Sequence, residues 1–437
     1  MSALWNGLSA LSQDILMTLA LLLPALIVGA LVLRGYAPWP LVRAILWRFR
    51  VASALFVLLI AISVGMGIGL LAQERGLRRG TAQAADKFDL VVAAPGSEMS
   101  VMMAAVFLQP SDMPLLDGET YAEVAGHENV SIAAPLAFGD SFGTSPVIGT
   151  TAEFARYLAE DRIEGRMWQS EHEALVGALV PLAIGEEFTP AHGHGDAAEE
   201  HAHDGAHLEV VGRLAASGTP WDRAILLPVE AIWEVHGVSN GHAPERADQI
   251  GPPFDPAYFP GTPAIVVRSE ALWANYALRS EFTRDRETMA FFPGAVLAQL
   301  YRVLGDIRQI MSLMALVTQG LVASAVLLGL FILSRLLHRQ IALLRALGAT
   351  ARFVFAVIWS FGAALLLAGS ALGLLTGVAA ASVLSKVVTA RTDVLVTAPL
   401  GWGELHVLAA FVSVTLLLSL VPAAFILRQP VVPSLRA

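Results

Sequence analysis

IMSLMALVTQGLVASAVLLGLFILSRLLHRQIALLRALGATAR, residues 310–352, joins two chemistries in one stretch. Its first part, Ile310–Ser334, carries no charge. About 20 apolar residues are enough for a helix to cross the hydrocarbon core of a bilayer. Its second part holds Arg335, Arg339, Arg345 and Arg352 and no acid. Basic residues collect on the cytoplasmic side of membrane helices. The stretch therefore predicts a span that ends at a cytoplasmic face.

Four further uncharged stretches run through 15–33, 51–72, 353–377 and 406–427. The first is short and contains Pro24, and it reads either as a span or as an interfacial helix. Arg34, Arg43, Arg48 and Arg50 lie between the first two stretches, and Arg428 and Arg436 lie in the tail. These three basic clusters fit one alternating topology. It puts 34–50, 335–352 and the tail in the cytoplasm, and the N-terminus, 73–309 and the loop around Lys386–Glu404 outside. Composition agrees: 55% of the 437 residues are hydrophobic and 15% charged, with a mean hydropathy of +0.62, whereas soluble domains carry about 25% charged residues. Of 37 acidic residues, 34 fall between Glu74 and Arg308, so an acidic soluble domain is set inside a basic membrane part. The chain has no cysteine, which excludes disulfides and thiolate metal sites.

Residues 73–309 are enough for one or two domains. Strand patterning appears at 88–92, 131–138, 145–149, 208–214, 224–227 and 264–267. Helical patterning appears at 99–107, 118–125, 151–157, 228–236, 270–282 and 293–310, the last leading directly into the span at 310. This is an α+β mixture.

Chemistry is sparse. A P-loop needs Gly-Lys-Ser/Thr. The two lysines precede Phe88 and Val387, so the chain carries no such ATP site. Gly139-Asp140-Ser141-Phe142-Gly143 fits the pattern of a nucleophile elbow, which requires strand, turn, helix. Strand-like residues follow it instead, and a hairpin turn is the expectation. No His-Glu-x-x-His occurs. The anomaly is His192, His194, His201, His203 and His207, five of the eleven histidines, interspersed with Asp196, Glu199, Glu200 and Asp204. Imidazole suits Zn²⁺, Cu²⁺ and Ni²⁺. The segment reads as a metal-capturing loop, with Zn²⁺ the expected ion, as a solvated insertion, or as a pH-responsive loop. Gly369, Gly373 and Gly377 form a small-residue register that lets another helix approach closely, within the subunit or between two copies. In 335–352 the pattern is amphipathic: Ile341, Leu344 and Leu347 share a face, Arg339 and Arg345 stand elsewhere, and Gly348 is placed as a C-cap. Such a helix lies on a membrane surface or docks in a partner's groove.

That segment also carries a family resemblance. Residues 339–350 resemble the R-E-I-x-L-L-R-A-L-G-A-T signature of FtsX/MacB-type ABC permeases, with Gln340 where the family has Glu. The opening Phe88–Val92 with Gly96-Ser97 resembles the start of that family's outside domain. Val147–Thr151 and Ser217-Gly218-Thr219-Pro220-Trp221-Asp222-Arg223 are similar to pieces of its lipoprotein-release-like branch. The order of parts agrees from about Ala44 onward, while the extra first apolar stretch departs from the usual four spans. The resemblance implies a multi-pass α-helical membrane protein, with four to five transmembrane helices and a large α+β periplasmic domain, in a bacterial inner membrane. The expected parts are 1–50, an extra helix and basic loop; 51–72, a span; 73–309, the periplasmic domain with its His-rich loop 192–207; and 310–437, the FtsX-like domain. It further implies a permease homodimer, a cytosolic ABC ATPase contacting 335–352 and a periplasmic accessory protein, with membrane lipid around the spans and no nucleic-acid role. ATP hydrolysis is expected in the partner and not in this chain. The alternative is a membrane-anchored periplasmic metal-binding protein without an ATPase. A conventional transporter with a polar path is disfavoured, because the apolar stretches hold essentially no ionisable residue.

Overall fold

In the computed structural model, which describes residues 7–109, 112–192, 207–284, 287–336, 338–392 and 396–427, all five apolar stretches lie in helices. Helix α1 spans Ala10–Leu33, with the Ser9 hydroxyl accepting from the Ser12 amide at 3.3 Å. Its 24 residues rise about 36 Å at ~1.5 Å each, enough to span, and it runs on through Pro24. Helix α2 is Trp39–Arg48, and α3 is Arg50–Ala85. Later in the chain come α9 (Pro293–Leu336), α10 (His338–Ala346), α11 (Ala351–Thr392), α12 (Trp402–Leu418) and α13 (Leu420–Leu427). Four helical segments are long and apolar enough to cross a membrane: Ala10–Leu33, Arg50–Ala85, Ala351–Thr389 and Trp402–Phe425. A shorter apolar segment, Leu316–Gly329, lies within α9. The protein is a multi-pass membrane protein with a mixed-sheet domain.

The chain forms two units. One comprises 1–76, 306–386 and 397–437, and the other 77–305 and 387–396. The second is built on a mixed sheet in the order β11-β1-β10-β2-β3-β9-β5-β8-β4. Its strands are β1 (Leu90–Ala93), β2 (Val130–Phe142), β3 (Ser145–Thr150), β4 (Ile163–Gly165), β5 (Glu173–Val176), β8 (Leu208–Leu214), β9 (Ile225–Pro228), β10 (Ala264–Ser269) and β11 (Met289–Phe291). Short β6 (Glu187–Phe188) pairs with β8, and β7 (Ala191–His192) with β2.

Alternation along the strands makes two cores. Val91, Leu136, Ile148, Leu226 and Val266 enter one, while Val92, Ala137, Val147, Ile225 and Ile265 enter the other. Successive side chains point to opposite faces, and both faces are covered along the middle of these strands, which therefore read as continuous apolar runs. Helices α4 (Glu98–Ala105) and α6 (Ala152–Ala159) supply Met102, Phe154 and Leu158 to the first core. Helices α5 (Gly118–Gly126), α7 (Val229–Val235) and α8 (Leu272–Arg284) supply Tyr121, Trp233 and Leu278 to the second.

The Gly139–Gly143 pattern is a hairpin. β2 runs to Phe142 and turns at Gly143 (φ +59°) into antiparallel β3. Ser141 sits within β2, buried, opposite Pro146. No helix follows it, and the elbow geometry is absent there.

The Ser217–Arg223 piece is a folded turn. The Asp222 carboxylate accepts from the Ser217 amide (2.7 Å), the Ser217 hydroxyl (2.7 Å) and the Gly218 amide (2.8 Å). Trp221 packs with Phe88 (5.9 Å between centroids) and edge-on with Phe154 (5.5 Å).

Candidate coupling segment and helix seam

Helix α10 is short and basic, and it ends where the sequence supplies a residue able to turn left-handed. Gly348 has φ +102°. The Gly348 amide donates to Arg345 O at 3.1 Å and the Ala349 amide to Leu344 O at 2.9 Å, which caps the last turn. Thr350 then donates to the Tyr36 hydroxyl at 3.0 Å, and Tyr36 stacks obliquely on Phe353 at 6.0 Å. The loop after α10 is thus tied to the link between α1 and α2.

The faces of α10 differ from the sequence expectation. Ile341 packs with Val354, Ile358 and Ala423. Leu344 lines a cavity that α10 shares with α2 and α11. Leu347 is 78% exposed and Leu343 56% exposed. Positions i and i+4 are neighbours on a helix, so the outward apolar pair is Leu343 with Leu347. Spacing alone grouped Ile341, Leu344 and Leu347, because it could not show that α11 and α2 partly cover the first two. Arg345 is half-buried; Arg339 belongs to α10 and its side chain lies outside the described residues.

The glycines of α11 lie against α3 of the same chain. A Cβ on Gly369 would fall 2.6 Å from Ile60 Cβ, one on Gly373 2.7 Å from Val64 Cβ, and one on Gly377 2.8 Å from Gly65 O. Gly65 reciprocates, 2.8 Å from Thr376 Oγ1. Such backbone proximity suits a bilayer, where packing rather than hydrophobic exclusion holds helices together.

At one end of this seam is an ion pair that sequence reasoning missed. Arg75 Nη1 donates to both Glu404 oxygens at 2.6 Å, and its Nη2 to Pro399 O. Glu404 is buried and also accepts from the Gly401 amide at 3.0 Å. An acid at the start of an apolar helix was the available signal. His406 Nε2 meets Asp14 O at 3.1 Å, which joins α12 to α1. In the sheet unit, Arg78 lies 5.5 Å over the Tyr301 ring, and Thr81 and Tyr301 share a hydroxyl hydrogen bond. The end of α3 and the start of α9 are thereby joined.

The histidine-rich segment is only partly described. His194, His201 and His203 lie outside the described residues. His192 closes β7, with its backbone opposite Asp140 of β2. His207 is exposed just before β8. Asp140 is buried and bonds His236 Nε2 at 3.2 Å, and its carboxylate holds the His236 pKa above the usual imidazole range. Among the described residues no group of three or more His, Asp or Glu is arranged to hold a metal ion.

Comparison with known proteins agrees with the resemblance at 339–350. Residues 310–431 match the family model described as FtsX-like permease C-terminal. No curated protein matches the chain. The periplasmic region of MacB from Actinobacillus actinomycetemcomitans is structurally similar, with 8% sequence identity and a TM-score of 0.31. The match covers 50% of this chain and 94% of that one.

Proposed function

We propose that this chain is the permease subunit of an ABC transporter in a bacterial inner membrane. A separate cytosolic ATPase would drive it, and it would act as a homodimer with 73–309 in the periplasm. The observation that carries the reading is α10: a short basic helix inside the family match, with Leu343 and Leu347 turned outward. An amphipathic helix presents such residues to a partner's groove, and a plain membrane anchor has no use for them. Helices α3, α9 and α11 each carry residues of both units without a break. Motion imposed at α10 would be passed to the sheet domain through these helices, where it would do periplasmic work or export with an accessory protein. Epitope-tagged protein drawn from membranes of the native host should co-purify with an ATPase. Leu343→Asp with Leu347→Asp should remove that ATPase while membrane levels stay unchanged; undiminished co-purification sinks the reading in favour of an anchored metal-binding protein.

We infer second that the segment His192–His207 takes up Zn²⁺ through His192, His194, His201, His203 and His207. Histidine density supports it, as does β7, which fixes one end of the segment beside Asp140 and so near His236. Calorimetric titration of the full chain in detergent with Zn²⁺ should show binding that is lost when the five histidines become serine. Equal heats from both proteins end the idea.

A further inference from the structure

The membrane unit holds an open cavity of about 310 Å³, lined by α2, α10 and the first turns of α11. That is within the ~300–1,000 Å³ range of ligand pockets. Leu41, Ile45, Ile341, Leu344 and Val357 are among its walls, and Arg48 is its one charged lining residue among the described residues. Arg48 is exposed, and its guanidinium lies 6.0 Å from the centroid of the Phe49 ring. The surrounding sequence offers it no acid: there is no Asp or Glu anywhere in 15–73 or 307–392. Arg34, Arg43, Arg50 and Arg352 lie on or beside the same elements. Trp39 and Trp47, at the two ends of α2, are 59% and 74% exposed. Exposed tryptophans of that kind mark the headgroup level of a bilayer.

We propose that this cavity binds an anionic phospholipid of the cytoplasmic leaflet. An acyl chain would lie against the leucine and isoleucine walls, and the phosphate would meet Arg48. Charge complementarity selects the occupant. A cluster of cations with no carboxylate in either flanking segment calls for an anion, and apolar walls call for a chain attached to it. Basic pockets between helices on the cytoplasmic side are suited to such headgroups. The proposal deepens the permease reading, because it assumes that α2 and α10 face the cytoplasm. It does not need the ATPase, so failure to recover an ATPase leaves it standing.

The test uses the full chain in detergent. Native mass spectrometry would follow retention of phosphatidylglycerol against phosphatidylcholine of the same chains. The wild type is expected to retain phosphatidylglycerol at least fivefold better. Arg48→Ala should abolish that preference. Ala44→Trp should remove adducts of both lipids, since Ala44 lines the mouth from an exposed position on α2 and tryptophan there fills the space without disturbing a core. Arg43→Ala, on the same helix but outside the lining, should match the wild type. Equal retention of the two lipids overturns the proposal, as does equal loss in Arg43→Ala and Arg48→Ala, which means general surface charge. Retention unchanged by Ala44→Trp overturns it too. So does a cross-link from Ala44→Cys to a protein segment filling the cavity in membranes.

Discussion

Asp222 is where a recurring piece of sequence shows its reason. Its carboxylate satisfies two backbone amides and one hydroxyl of the turn, and Gly177 is so close that a Cβ there would meet Asp222 O at 2.4 Å. Asp222→Ala leaves the Ser217 and Gly218 amides without that acceptor in a largely buried place. It should cost about 2 kcal/mol, read as a lower unfolding midpoint, while Asp222→Asn recovers part of the loss. Glu171 has the opposite character. Burial raises its pKa first, and the carboxylate of Glu234 adds to that. A raised folded-state value means the contribution to stability is fully present below the ordinary carboxyl pKa and is lost as pH rises through the folded one. At neutral pH the native state thus carries a penalty. Glu171→Gln should raise the thermal midpoint at pH 7 and change it little at pH 4; a midpoint lowered at pH 7 refutes the assignment. The piece that holds Asp222 stood out in the sequence, but Glu171 did not, since its burial and a second carboxylate from α7 come only with the fold.

The helices and strands were legible because their apolar patterns are strong. Strand patterning at 88–92, 131–138, 145–149, 208–214, 224–227 and 264–267 matches observed strands to within a few residues. Strands β4, β5, β6, β7 and β11 were not foreseen. Of these, β4, β6, β7 and β11 are three residues or fewer, too short for alternation to register. The register of Gly369, Gly373 and Gly377 announced close packing but not the helix that meets it, because spacing on one helix says nothing of its neighbour. Likewise the cap at Gly348 follows from local chemistry, whereas the outward pair on α10 depends on what covers Ile341 and Leu344. The seam makes a sharp prediction. Gly373→Leu pushes a side chain into Val64 and the Ala61 carbonyl, so α3 and α11 must part. The expected result is a lowered unfolding midpoint in detergent and loss of a cross-link between cysteines placed at Gln73 and Ser385, whose side chains meet across α3 and α11 at 3.2 Å. Gly403→Leu, where a Cβ meets nothing within 4 Å, should leave both unchanged.

For the molecule as a whole, charge is the organising variable. A chain with 34 of its 37 acids between Glu74 and Arg308, and with acid-free basic segments at 34–50 and 335–352, has the charge pattern expected of one sorted by the membrane it crosses. Short basic loops are retained on the cytoplasmic side, while long acidic domains pass across largely regardless of charge. The arrangement can be tested directly because the protein has no cysteine of its own. Single cysteines at Ala346, exposed on α10, and at Glu245, exposed in the sheet unit, report the two sides. In intact spheroplasts an impermeant maleimide should label Glu245→Cys and spare Ala346→Cys until the membrane is opened. Labelling of both in sealed cells would place α10 beside the acidic domain. No cytosolic ATPase could then reach Leu343 and Leu347, and force transmission from the cytoplasm would lose its point of entry. The same result would remove the cytoplasmic-leaflet phospholipid, since Arg48 reaches the cavity wall next to Leu344 of that very helix.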